Sequence, residues 1–212
     1  MNKSDKKILN VPHLRFSEFT DEWVKYRLGN IMTFKNGLNK GKEFFGAGTP
    51  IVNYMDINKN ENIVSSMIKG VVTVTDNEMK NFQIMKGDVF FTRTSETSDE
   101  IGLSASLLED VPKGVFSGFI LRGRPIDGIF ENSFSGYYFR SGAVRKEIIK
   151  HSSITTRALT SGGSLSQLNI SLPTLREQCK IAKLLRLIDN NIDSQRKLIN
   201  KYESLIKWIY GK

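Results

Sequence analysis

One stripe of positions near the carboxy terminus recurs in alternating steps of four and three: Ile181, Leu185, Ile188, Ile192, Gln195, Ile199, Tyr202, Ile206 and Ile209. That spacing averages 3.5 residues, the repeat that keeps one face of a helix turned toward a neighbouring helix over many turns. Leu184, Leu198 and Leu205 widen the stripe beyond two positions per heptad, so more than one neighbour is expected. The pattern predicts a helix from Thr174 to Ile209, ~54 Å long at 1.5 Å per residue. A small domain does not need that length for its core, so much of the helix should project and pair with a second one. The start is also legible. Pro173 rejects helix before it, and Thr174-Leu175-Arg176-Glu177 has the T-x-x-E form in which hydroxyl and carboxylate cap backbone donors reciprocally. Gln195, the polar member of the seam, is a candidate register pin.

Ahead of this helix the apolar positions fall into short runs broken by glycine and polar turns, which predict strands at Pro50 to Tyr54, Val71 to Thr75, Val89 to Thr92 and Val115 to Leu121. Alternation within them is imperfect. Between Asn132 and His151, residues Tyr137, Tyr138, Val144, Ile148 and Ile149 recur at helical intervals and predict one or two short helices. The expected fold class is α+β: one mixed, strongly twisted β-rich domain over residues 1–172, followed by a long coiled-coil-forming helix over 173–212. Three glycine-bearing loops, Lys35 to Lys42, Arg93 to Glu100 and Thr155 to Ser164, carry hydrogen-bonding side chains.

Size and composition narrow the choices. A chain of 212 residues has room for one domain with a real core plus this helix. No apolar run approaches the roughly 18 residues of a membrane span, and the lysine-rich start lacks the apolar stretch of a secretory signal. A cytoplasmic setting is therefore expected. Cys179 is the single cysteine, and only His13 and His151 stand beside it, so neither an internal disulfide nor a zinc cluster is expected. The net charge of +9 favours a polyanionic partner. Residues 174–212 hold nine Lys or Arg against four acids, which leaves the globular part only mildly basic. A specific reader tolerates a weak general field, because sequence is read by a few side chains at base edges.

Catalytic grammar is missing. Phe44-Phe45-Gly46-Ala47-Gly48 matches F-x-G-x-G, but a nucleotide-holding use of such glycines needs a strand before and a helix after, and here a turn precedes and a strand follows. The five prolines are never adjacent, so the Asp/Asn-Pro-Pro-aromatic motif of an adenine methyltransferase is absent. No phosphate loop, nucleophile elbow or metal-spaced His pair occurs. Asp76, Glu78, Asp99, Glu100, Glu109 and Asp110 read as solvated turn residues, and Asp88 and Glu96 are too isolated for a nuclease. The alternatives left by the residues alone are a DNA reader, a coiled-coil adaptor that binds protein, and a small nucleotide-binding enzyme.

Three segments together resemble the specificity subunit of type I restriction-modification systems. They are Pro12-His13-Leu14-Arg15-Phe16-Ser17-Glu18-Phe19-Thr20-Asp21-Glu22-Trp23, followed by Leu28-Gly29-Asn30-Ile31; Gly87-Asp88-Val89-Phe90-Phe91-Thr92-Arg93-Thr94-Ser95; and Leu172-Pro173-Thr174-Leu175-Arg176-Glu177-Gln178-Cys179-Lys180-Ile181-Ala182, continued by Ile188-Asp189 and Ile192. The resemblance implies a target recognition domain without catalysis of its own. It implies docking to an adenine methyltransferase subunit and, through it, to a restriction and translocation subunit, on double-stranded DNA with a bipartite target. Adenosyl-methionine, ATP and magnesium are then expected on those partners and no cofactor on this chain. A complete subunit of the family carries two such domains separated by two long helices. This chain carries one, so it is either a half that pairs with a second copy or the first half of a longer subunit.

Base reading calls for amide, guanidinium and hydroxyl groups on loops that enter the major groove. Asn36, Asn39, Arg93, Thr94, Ser95, Thr97, Ser98 and Arg157 are the candidates. Lys35, Lys40 and Lys42 suit phosphates, and Gly37, Gly162 and Gly163 permit close backbone approach.

Overall fold

The computed structural model describes residues 11–12, 14–154 and 157–210. His13 of the opening motif and Thr155 and Thr156 of the third loop lie outside the described residues.

In chain order, β1 (Val24–Arg27) passes through one helical turn, α1 (Leu28–Ile31), into β2 (Met32–Asn36). There follow β3 (Phe45–Val52), α2 (Tyr54–Lys59), β4 (Asn62–Ile63), β5 (Val71–Val72), α3 (Asp76–Phe82), β6 (Val89–Thr92), β7 (Thr94–Ser95), β8 (Ser104–Leu107), β9 (Val115–Phe116) and β10 (Ile120–Pro125). The remainder is α4 (Asn132–Arg140), α5 (Gly142–Lys150), β11 (Ser153–Ile154), β12 (Ala158–Leu159), α6 (Gly162–Ser166), β13 (Asn169–Leu172) and α7 (Leu175–Tyr210).

The central sheet has the order β2-β10-β6-β8-β4. It is antiparallel except for the β8–β4 edge. All four residues of β6 are buried, because the strand is central and covered on both faces; a continuous apolar run, not an alternating one, is what such a strand requires. Phe91 and Leu121 face one core with Phe134 and Phe139 of α4 and Ala182 of α7, while Phe90 and Ile120 face a second core with Val52, Ile57 and Phe116. A smaller sheet, β5-β3-β9, and a three-stranded ribbon, β11-β12-β7, flank the central one, and β1 pairs with β13 at the root of α7.

Three predicted strands end differently in the structure. The run from Pro50 stops at Val52 because the Asp56 carboxylate accepts from the Asn53 N–H at 2.8 Å and starts α2. The run from Val71 stops at Val72, and Thr75 caps α3: its hydroxyl accepts from Glu78 N–H and its own N–H donates to the Glu78 carboxylate. The run Val115 to Leu121 is cut at Ser117–Phe119, where Gly118 N–H donates to Leu38 O at 2.8 Å. Gly46 and Gly48, at φ +108° and +107°, lie in the bulged part of β3, a backbone use that accounts for both glycines without a nucleotide.

The root of α7 is built from distant parts of the chain. Thr174 Oγ1 accepts from Glu177 N–H at 3.4 Å, so half of the predicted capping box forms. The Glu177 carboxylate is turned elsewhere: it accepts from Arg15 Nε and Nη2 at 2.7 Å each and from Trp23 Nε1 at 3.3 Å. A forked guanidinium is a stronger donor to a buried carboxylate than a backbone amide. Gln178, also buried, donates to Ile129 O and Pro173 O at 3.0 Å each and accepts from Glu131 N–H at 2.9 Å. About three turns on, Tyr137 of α4 donates to Asp189 at 2.5 Å. From Arg186 to Tyr210 every side chain is exposed, and Ile188, Ile192, Ile199, Tyr202, Ile206 and Ile209 stand 43–56% exposed, with no element among the described residues covering them. Among the described residues no helix is long and apolar enough to cross a membrane.

Candidate nucleic-acid interface

The candidate residues gather at one end of the central sheet because the register of β2, β10 and β6 brings their ends together. Asn36 is paired with Leu121, and Ile120 with Thr92, so the loop after β2 and the segment after β6 emerge side by side. Arg93 continues that pairing, with its N–H donating to Phe119 O at 3.1 Å and its carbonyl accepting from Thr160 N–H at 2.9 Å. Lys35, Asn36, Arg93, Gly162 and Gly163 thereby line one cleft of approximately 480 Å³, floored by Phe34, Leu121 and Leu159. Asn36 is exposed and Arg93 half-buried. Among the described residues the Arg93 side chain makes no hydrogen bond or ion pair.

Pairing of Ala158 with Ser95 and of Leu159 with Thr94 joins this cleft to a second one of approximately 380 Å³. Thr94, Ser95, Thr97 and Arg157 line it, together with Tyr54, Glu96 and Glu100. Ser95 is buried, donates to Glu100 at 3.3 Å and accepts from Thr97 N–H at 3.2 Å. Tyr54 donates to the same carboxylate at 2.7 Å. The Tyr54 bond first, with Asn58 and Ser95 adding to it, holds the Glu100 carboxyl below its ordinary range; burial, and then the Glu100 carboxylate, push the Tyr54 hydroxyl up. The second cleft therefore presents a fixed acceptor beside the Arg157 cation. Ser98 is half-buried in the loop after β7 and lines neither cleft.

The three lysines differ. Lys42 is exposed in the turn Lys42–Phe44. Lys35 stands 5.4 Å from the Phe82 ring. Lys40 lies 2.9 Å from Glu78 and 4.2 Å from the Phe44 ring centroid, so its charge is already answered within the domain. The Thr75 N–H and then Lys40 hold the Glu78 carboxyl below its usual range. Gly37 is buried; a Cβ there would sit 2.0 Å from the Ser117 carbonyl, so the close approach it permits is internal. At Gly162 a Cβ would lie 2.7 Å from Phe34 Cβ, whereas at Gly163 it would meet only Ser161 Oγ, at 3.7 Å.

Neither the hydrophobic floor of the first cleft nor the Tyr54 and Glu100 acceptor was marked by any local pattern. Their partners lie tens of residues away, Tyr54 and Glu100 being 46 apart. Arg15, Trp23 and Glu177 could be quoted as motif residues, but their meeting across 162 positions could not.

The chain thus combines a mixed β domain, two clefts at one end of its central sheet and a long helical rod. The family described as type I restriction modification DNA specificity domain matches residues 20–204, and the chain belongs to that family. It is 26% identical over 213 residues to a chain of Methanocaldococcus jannaschii described as a type I restriction enzyme MjaX specificity subunit, covering 96% of this chain and 49% of that one. Three solved structures share the fold. A chain from a structure of complex assembly and conformational transition in the type I R-M system is 17% identical with a TM-score of 0.64, over 93% of this chain and 46% of its own length. The HsdS subunit from Thermoanaerobacter tengcongensis is 18% identical with a TM-score of 0.56, over 88% and 42%. The type I restriction-modification S subunit from M. genitalium is 15% identical with a TM-score of 0.53, over 87% and 43%. The chain spans about half the length of these relatives.

Proposed function

We propose that this chain reads one half of a bipartite double-stranded DNA target as the non-catalytic specificity component of a type I restriction-modification complex. Its rod pairs with a second long helix, from a second copy or from a second half of the same subunit, and its body docks an adenine methyltransferase subunit and, through that, a restriction and translocation subunit. Adenosyl-methionine, ATP and magnesium belong to those partners, and the complex works in the cytoplasm. The reader spans residues 1–172 and the rod 173–212, a division supported by the start of α7 at Leu175.

The observation that carries this reading is the meeting of Asn36 and Arg93, from separate strands, at one open cleft in a member of a DNA specificity family. An amide and an unpaired guanidinium are the side chains that pair bidentately with adenine and guanine edges. Lys42 suits a phosphate, and Lys40 suits one less because Glu78 holds it. The test compares matched and scrambled duplexes bound by the chain together with its methyltransferase subunit. Arg93→Ala is expected to lose about 1–3 kcal/mol on the matched duplex and to relax sequence choice. Lys42→Ala is expected to weaken both duplexes alike and to flatten the salt slope by about one unit. Equal losses from the two changes on both duplexes would refute the division of roles.

A further inference from the structure

Phe119 is the most exposed aromatic side chain among the described residues ahead of α7, at 68%. Single exposed apolar residues are ordinary, so exposure alone assigns nothing. Its position does. Phe119 precedes β10 and stands across the strand pair from Arg93, whose N–H its carbonyl accepts at 3.1 Å. A Cβ on the preceding Gly118 would lie 1.9 Å from Asn39 Oδ1, so the Asn39 amide packs against the turn that carries Phe119.

The turn is fixed by its backbone. Ser117 N–H donates to Val52 O at 3.0 Å, Gly118 N–H to Leu38 O at 2.8 Å, and Phe119 N–H to Ser117 Oγ at 3.4 Å. A largely exposed apolar ring is thus carried on a hydrogen-bonded turn whose backbone is joined to that of Arg93 and against which Asn39 packs. The other exposed aromatics of the body, Phe44 and Phe45, are about 40% exposed, and the Lys40 ammonium lies over the Phe44 ring.

In the major groove one base-pair edge combines hydrogen-bonding atoms with an apolar group: the A·T pair, whose thymine 5-methyl is recognised by apolar side chains while an Asn amide pairs with adenine N6 and N7. We infer that Phe119 is a specificity-determining residue that contacts a thymine methyl, with Asn39 and Arg93 reading base edges on either side of it. This rests on the reading of the chain as a DNA reader.

The experiment uses the full chain with its methyltransferase subunit and the target obtained by mapping methylated adenines. Each thymine of the half-site is replaced in turn by deoxyuridine, which removes the methyl and leaves the base pair's hydrogen bonds. One replacement should weaken binding by the parent about fourfold, the equivalent of one buried methyl. Phe119→Ala should bind the thymine and uracil duplexes equally, at the strength the parent shows for the uracil one. Indifference of the parent to every replacement, or a uracil penalty that persists in Phe119→Ala, overturns the assignment. So does an equal loss by Phe119→Ala on matched and scrambled duplexes, which would mark a sequence-blind wedge between base steps. If the parent itself fails to separate matched from scrambled DNA, the DNA-reading function falls first, a result distinct from any of these.

Discussion

Lys40 and Lys42 are two positions apart and chemically identical, yet their surroundings give them different work. Lys42 is exposed, as the proposed phosphate contact requires, while Lys40 is clamped between the Glu78 carboxylate and the Phe44 ring. Glu78 in turn caps α3, and the Thr75 N–H and Lys40 favour its charged form. A carboxyl held below its ordinary range lends stability that is present above that range and lost as pH falls through the depressed value. Glu78→Gln should therefore be less heat-stable than the parent at neutral pH, and the two melting temperatures should converge on acidification; a gap that stays constant down to acid pH would mean that the charge of Glu78 contributes nothing. Residue types at this scale were legible, since Asn36, Arg93 and the lysines could be named as hydrogen-bonding groups on glycine-bearing loops. Their pairings were not, because Glu78 is 38 positions from Lys40 and no spacing rule reaches that far.

At the scale of elements, α7 is the clearest case of a structure written in its own sequence. The four-three spacing, the Pro173 stop and the Thr174 cap are local signals, and the helix begins and runs where they put it. Its outer half leaves large apolar side chains about half exposed, each on the order of 1 kcal/mol if covered, which would drive the proposed pairing. Ile192→Asp should convert a paired chain to a single one without harming the body, since Ile192 is 43% exposed; light scattering that finds the same mass before and after would count against pairing through this seam. What directs the rod is its root. Tyr137 ties α4 to Asp189, and burial, then the Asp189 carboxylate, push the Tyr137 hydroxyl well above its ordinary range, so the phenol stays a donor at any physiological pH. Removal of this bond in Tyr137→Phe, about 1 kcal/mol, should broaden the distribution of distances between spin labels on the body and at Lys207. An unchanged width would assign the rod's angle to Glu177 and Gln178 alone.

At the scale of the whole molecule, one recognition body on one rod makes symmetry the informative measurement. Two copies joined through α7 would present identical clefts to two half-sites, and the methylated target should be an interrupted palindrome; a second, different half would give an asymmetric one. The sequence by itself determined the long helix and its start at Thr174, the buried central strand Val89–Thr92, the helical stretch that became α4 and α5, and the class of molecule through three motifs. Each of these depends on side-chain spacing within a few turns or on residue order along the chain. Only the tertiary structure decided that Asn36 and Arg93 share a cleft, that Glu177 faces Arg15 and Trp23 and does not close its own cap, that Gly37 accommodates Ser117, and that Phe119 stands bare beside Arg93. Those facts follow from strand register and from contacts between residues 26 to 162 positions apart, where many partners compete for each group and packing of the complete sheet selects among them.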